Sequence, residues 1–298
     1  MTLQDLRYVV ALAEHGHFGR AAAACNIAQS TLSTQIKNLE TQLGVTLFER
    51  TSKSVSTTAI GAEIAGRAQQ VLADVEAIVS VGQQISGPLT GGFSLGLIPT
   101  LGPYLLPWLV PALKKDFPEL RLSLREDLTA SLLERLCAHR LDAALLALPV
   151  ANDRLETLPL FDEPFWFAEP KSDAPATGKI MKEDELRGRR LLLLAEGNCL
   201  RDQALAVCGA TEGDAEGDFR ATSLETILQM VASGLGSTLL PAMACSEART
   251  RTMTTRPLEQ GVGRRIGLVW RRSYPKTRDI HLLAQTLRAN LPQGVHRV

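Results

Sequence analysis

Hydrophobic and polar positions change their period several times along the chain. Residues 3–13 place Leu3, Leu6, Val10 and Ala13 on one face of a predicted helix. Gly16 breaks that pattern, His17 and Phe18 follow, and the alanine-rich run after them predicts a short helix ending near Asn26. A third helix is predicted over STLSTQIKNLETQLG: Leu32, Ile36, Leu39 and Leu43 recur at intervals of 4, 3 and 4, and Gly44 supplies a stop. Its opposite face carries Gln29, Ser30, Ser33, Thr34 and Lys37. Two short helices around a turn, the second with a hydroxyl-rich N-terminal face, fit a helix-turn-helix.

The stretch LFERTSKSVSTTAIG, with Arg50 and Lys53, reads as a β-hairpin wing. A long helix is predicted from about Thr58 to Gln84, where Ile64, Ala68, Val71, Val75 and Ile78 step by 4, 3, 4 and 3. Such a seam pairs two helices, so dimerisation is expected; packing on its own domain is the alternative. SGPLTGG (86–92) reads as a linker. Beyond it strand and helix patterns alternate: strands at 93–98, 120–126 and 142–148, helices at 105–117 and 131–140. This predicts an α/β domain with a largely parallel sheet. From Phe165 to about Gly263 a second lobe follows the same rule, with strands at 191–195 and 237–241 and helices starting near Cys199 and Ser223. GLVWR (267–271) and a helix from Thr277 to Asn290 are expected to return to the first lobe, leaving a ligand cleft between the two. The expected division is a DNA-binding domain (1–58), a linker helix and hinge (59–91) and an effector domain (92–298). Lobe I would take 92–163 plus 267–298, and lobe II 164–266.

Charge changes this picture little. Lys plus Arg and Asp plus Glu each number 32, so any nucleic-acid site rests on local arrangement rather than bulk charge. No apolar run approaches the ~18 residues of a membrane span, and the first residues lack a signal-peptide pattern. A cytoplasmic protein without membrane contact is expected.

Five cysteines are present: Cys25, Cys137, Cys199, Cys208 and Cys245. Metal-ligand spacings are absent, and neither metal nor cofactor is expected. In EGNCLRDQALAVC, Asn198 is a candidate N-cap, which places Cys199 in the first helical turn. There the helix dipole and Arg201 would favour a thiolate, the species that attacks peroxide. In one helix Cys208 lies about 13 Å further along the axis, beyond the ~7 Å between Cα atoms that a disulfide spans. A bond between the two would therefore require the segment to unravel. Spacing alone favours two ordinary half-buried cysteines, since free cysteine is commonly a small core residue. Cys25, Cys137 and Cys245 are assigned packing roles.

These features together resemble the LysR-type transcriptional regulators over essentially the whole chain. MTLQDLRYVVALAEHGHFGRAAAACNIAQSTLSTQIKNLETQLGVTLFERT is similar to that family's winged helix-turn-helix. LGLIPTLGPYLLPWLVPALKKDFPELRL and LLLLAEGNCLRDQALAVC look like the effector domain of its hydrogen-peroxide sensors. The resemblance implies a periplasmic-binding-protein-like two-lobed α/β effector domain behind an all-α N-terminal part. It implies double-stranded DNA with promoter half-sites, hydrogen peroxide and RNA polymerase as partners, and a homo-oligomer, dimeric through the linker helix and tetrameric as a whole. Cys199 would be the peroxidatic cysteine and Cys208 the resolving one, with Thr100, Thr129, Asn198, Asp202, Gln203 and Arg264 around the peroxide. Gln29, Ser30, Thr31, Ser33, Thr34 and Lys37 would meet DNA from the recognition helix, and Arg50 and Lys53 from the wing. Peroxide-sensing relatives carry histidine where this chain has Asn198, an amide that cannot relay a proton as imidazole does. Two other readings share parts of this pattern: a LysR-type regulator of a small organic effector, and a thiol peroxidase.

Overall fold

Thr2 starts the first helix. Its hydroxyl accepts the Asp5 N–H and the Asp5 carboxylate accepts the Thr2 N–H, a capping box. The computed structural model describes residues 1–50, 55–82, 88–172, 180–186, 191–208, 221–245, 252–259 and 261–298. They divide into two compact units, Met1–Ser86 with Ala138–Arg140, and Gly87–Cys137 with Leu141–Val298.

In the first unit, α1 (Leu3–His15) ends at Gly16, which takes the left-handed conformation (φ 55°) that glycine adopts without steric cost. The helix buries Leu6, Tyr8, Val9 and Leu12. The expected face was rotated: Leu3 is exposed, and Val9 and Leu12 take the inward places assigned to Val10 and Ala13. His17 caps α2 (Phe18–Ala24) by accepting the Gly19 and Arg20 N–H groups on Nδ1. Helix α3 (Gln29–Leu43) buries Leu32, Ile36 and Leu39, each contributing about 1.5–3 kcal/mol of transfer free energy when fully buried. Strands β1 (Phe48–Arg50) and β2 (Val55–Thr57) pair antiparallel as the expected wing. Glu40 fastens the wing base to α3 by accepting the Leu47 and Phe48 N–H groups at 2.8 and 3.1 Å.

Helix α4 (Ala59–Gly82) splits the expected seam. Its first half packs inward, with Ala65 and Ala68 buried and Ile64 against the α1–α3 core. Further along, Val71 is 42% and Ile78 72% exposed. The close seat at its start needs Gly61, because a Cβ there would lie 2.1 Å from the Leu47 carbonyl oxygen. The helix end expected near Gln84 and the first two linker residues, 86–87, lie outside the described residues.

In the second unit, β3 (Gly91–Leu97), β4 (Leu120–Glu126) and β5 (Ala143–Leu148) are parallel, joined by α5 (Gly102–Asp116) and α6 (Thr129–Cys137). The rest of the sheet corrects the expectation of a largely parallel one. Strand β9 (Gly263–Arg271) inserts antiparallel between β5 and the 16-residue β6 (Leu155–Pro170), and β10 (His296–Arg297) pairs antiparallel with β6. The sheet order is β10-β6-β9-β5-β3-β4. The distal half of β6 pairs with β7 (Thr238–Pro241) and β8 (Met253–Pro257). Thus β6 and β9 join two cores. One gathers β3, β5, α5, α6 and α9 (Thr277–Ala289); the other gathers β7, β8, α7 (Cys199–Cys208) and α8 (Leu224–Ala232). The apolar run 191–195 is not a strand: it makes only isolated bridges, Leu191 to Ser237 and Leu194 to Ala221.

Candidate DNA-binding face and candidate thiol site

Helix α3 presents Gln29, Ser30, Thr31, Thr34 and Lys37 to solvent, with Ser33 half-buried. Its N-cap is Ala28, which offers no side-chain acceptor, so the first N–H groups stay available to an outside acceptor such as phosphate. The Thr34 hydroxyl donates to the Ser30 carbonyl at 2.9 Å, which fixes its rotamer. Arg50 closes β1, and Lys53 lies outside the described residues.

The thiol site begins with α7. Gly197 turns the chain into it in a positive-φ conformation (85°), and the buried Asn198 donates its amide to the Ala195 carbonyl at 2.9 Å. That bond reaches back into the preceding turn rather than toward the sulfur. Cys199 is half-buried against the first core, whereas Cys208 is buried within the second. All five cysteines are thiols rather than disulfides.

Burial pushes the Cys199 thiol above its ordinary pKa. Opposing that, in falling order, are the Arg264 guanidinium, the Thr129 hydroxyl and the Leu200 N–H; the Asp202 charge adds to the rise. The nearby cation is therefore Arg264 and not Arg201 as expected, because Arg201 turns its Nη1 to the Leu194 carbonyl at 3.2 Å. Thr129 Oγ1 is buried with no hydrogen-bond partner among the described residues, and its hydroxyl favours the Cys199 thiolate. Gln203 Oε1 is likewise buried with no hydrogen-bond partner among the described residues, while Asp202 is exposed.

Arg264 organises the floor of the site. Its Nη1 donates to Thr100 Oγ1 at 2.7 Å and its Nη2 to the Thr100 carbonyl at 3.0 Å. Its Nε and Nη2 meet Glu163 Oε2 at 2.9 and 2.8 Å, with both side chains fully buried. The other Glu163 oxygen accepts the Met243 N–H at 3.0 Å. Glu163 escaped the sequence reading; an acid inside the apolar strand FDEPFWF was the available signal. Thr100, in the turn after β3, and Arg264, on β9, are thus hydrogen-bonded to each other, and Arg264 and Thr129, from α6, both favour the thiolate of Cys199 at the start of α7. Among the described residues, no group of three or more histidine, cysteine or acidic side chains could hold a metal, and no helix is long and apolar enough to cross a membrane.

A winged helix-turn-helix in one unit and a two-core α/β domain carrying a half-buried thiol in the other define a bacterial DNA-binding regulator with an effector domain. Residues 3–62 match the family described as bacterial regulatory helix-turn-helix protein, lysR family, and residues 86–292 match the LysR substrate binding domain. The chain belongs to the LysR family. It is 42% identical over 293 residues to the DNA-binding transcriptional dual regulator OxyR of Escherichia coli K12, covering 98% of this chain and 96% of that one. Full-length OxyR from Pseudomonas aeruginosa, a cysteine-to-aspartate variant, superposes with a TM-score of 0.81 at 40% identity, covering 98% and 99% of the two chains. A hydrogen-peroxide-bound OxyR variant of Corynebacterium glutamicum gives 0.65 at 35% identity over 97% and 92%.

Proposed function

We propose that the chain is a peroxide-sensing transcription regulator in which Cys199 is the reacting thiol and Cys208 its resolving partner. The observation that carries this reading is a half-buried thiol that shares its surroundings with the Thr129 hydroxyl and the Arg264–Thr100 pair. The thiolate attacks one peroxide oxygen; the S–O bond forms as the O–O bond breaks, and hydroxide leaves and takes a proton to become water. Cys199 is thereby oxidised to a sulfenic acid. The Cys208 sulfur then attacks it, forming the disulfide and releasing water. Cys208 lies nine positions along the helix from Cys199, an axial rise of about 13 Å, so the disulfide and the intact α7 exclude each other. Asn198, Asp202 and Gln203 flank the thiol as accessory groups.

The same reading gives Gln29, Ser30, Thr31, Ser33, Thr34 and Lys37 to DNA, with Arg50 and Lys53 on the backbone beside them. The exposed second half of the α4 seam supports dimerisation, and the division into residues 1–58, 59–91 and 92–298 is retained as the functional one. The protein works in the cytoplasm, beside its DNA, and as a stoichiometric reader rather than a peroxidase. What favours peroxide over a small organic effector is the thiol itself, and the peroxide-bound state of the Corynebacterium relative points the same way.

The test is a footprint on DNA with two half-sites, using reduced and peroxide-treated protein, with disulfide mapping in parallel. The expected result is a Cys199–Cys208 bond and an altered footprint, both lost in Cys199→Ser. A footprint that peroxide leaves unchanged would sink the reading.

A further inference from the structure

Strands β6 and β9 run antiparallel, and after a bulge between Pro159 and Phe161 their register sets Glu163 directly opposite Arg264. The strands approach so closely beside this pair that a Cβ on Gly263 would lie 2.4 Å from the Glu163 carbonyl oxygen. Both carboxylate oxygens of Glu163 are occupied: Oε2 by Nε and Nη2 of Arg264, Oε1 by the Met243 N–H. A guanidinium is a rigid planar fork. Once its Nε and Nη2 edge is held, the direction of Nη1 is settled, and Nη1 meets Thr100 Oγ1 at 2.7 Å. Having accepted that bond, the Thr100 hydroxyl keeps its own proton as a donor.

We propose that Glu163 is a positioning residue for the peroxide chemistry: it fixes Arg264 so that Nη1 occupies the Thr100 acceptor side and leaves the Thr100 proton to donate to a peroxide oxygen. The inference rests on the functional reading above. Bound by Thr100 in this sense, peroxide presents one oxygen to the Cys199 sulfur. The Thr100 hydrogen bond stabilises charge as the O–O bond breaks and hydroxide departs, which takes its proton from solvent. Glu163 touches neither sulfur nor peroxide; it acts through Arg264. Its tie to Met243, in the turn after β7, anchors the carboxylate at its other oxygen as well.

The test uses the reduced full-length chain and two reagents. Hydrogen peroxide needs both the thiolate and the oriented donors, whereas iodoacetamide needs only the thiolate. In Glu163→Gln the amide keeps an oxygen for Met243 but sets an N–H₂ group against the Arg264 edge. Cys199 oxidation by peroxide should then slow by about 10–100-fold, the scale of a reacting group misplaced by roughly 1 Å. Alkylation by iodoacetamide should not slow. Because Glu163 acts through Arg264, adding Glu163→Gln to Arg264→Gln should cost nothing further. A peroxide rate within about twofold of the parent, additive losses in the double variant, or equal slowing with both reagents would each overturn the proposal. Should Glu163→Gln fail to fold, Arg264→Lys decides. It keeps the charge but not the fork, so a parental peroxide rate would overturn positioning and a loss with iodoacetamide reactivity retained would support it. A parent chain that peroxide leaves without a Cys199–Cys208 bond overturns the functional reading itself, a result visible before any variant is compared.

Discussion

The two ends of α7 carry the same side chain in opposite surroundings. Cys199 stands half-buried against the first core, where the Arg264 charge and the Thr129 hydroxyl favour its thiolate. Cys208 is buried as a member of the second core, together with Ala204, Leu224 and Ile227. A thiolate gains from charges and donors and is disfavoured by apolar burial. On the proposed reading, one helix carries the reacting thiol and its resolving partner, and it seats them against different cores. Helix and residue type are common to both ends, so it is tertiary neighbours that make the two settings differ.

The largest effect that could break the comparison is chemical. Cys208→Ser should leave Cys199 open to oxidation by peroxide, trapped by dimedone as a sulfenic acid and seen by mass, with no disulfide. Cys199→Ser should leave Cys208 at least about 100-fold slower toward peroxide, because a sulfur buried in the second core is closed to the reagent. Comparable reactivity at the two positions would remove the distinction.

Stability should order the pair the other way. Cys208→Ser replaces a buried sulfur of the second core by a smaller, more polar hydroxyl, a cost of about 1 kcal/mol or more, whereas Cys199→Ser, at a half-buried position, should lie within about 0.5 kcal/mol of the parent. Urea midpoints of the reduced proteins check this; equal shifts would mean that the two settings are not distinct in the folded state.

How much of this arrangement could be read along the chain differs by element. Residues 29–43 declared themselves because period, polar face and glycine stop all agree within fifteen positions. The Cys199–Cys208 helix and the placing of Thr100 and Thr129 just past β3 and β4 were equally local. Glu163 was not, since its meaning lies in a partner 101 positions away, reached by strand register. The antiparallel insertion of β9 escaped for the same reason, and so did the split of the α4 seam, where packing on α1 competes with pairing to a second helix. Leu191–Leu194 misled because an apolar run reports burial and not pairing. Arg201 misled because neighbours in sequence need not be neighbours in charge; its guanidinium serves a backbone carbonyl.

A finer effect concerns the donor beside the sulfur. Because burial raises the Cys199 pKa, alkylation by iodoacetamide should climb with pH through and beyond the range of an ordinary thiol. Thr129→Val removes a group that favours the thiolate, so the profile should move further up. At pH 7 alkylation should slow about fivefold, somewhat under the tenfold of one full pKa unit. Linkage has the matching sign. A folded-state thiol with a raised pKa holds its proton after the unfolded chain has lost its own, so stability falls as pH rises from the unfolded pKa toward the folded one. Thr129→Val should steepen that fall, and a profile moving down would show that the hydroxyl does not face the sulfur.

The smallest effect tests the solvent side of the same end. Asp202 is exposed, and its charge opposes a thiolate at Cys199. Replacing it with asparagine removes the repulsion, so more thiolate forms at a given pH and alkylation should quicken, by about twofold or less because water screens the interaction. Salt separates this from a change of structure. At about 1 M ionic strength, where the Debye length is near 3 Å, parent and variant should converge. A difference that persists at high salt would mean that Asp202 shapes the site by contact rather than by charge, and would return it to the polar groups that build the Cys199 end.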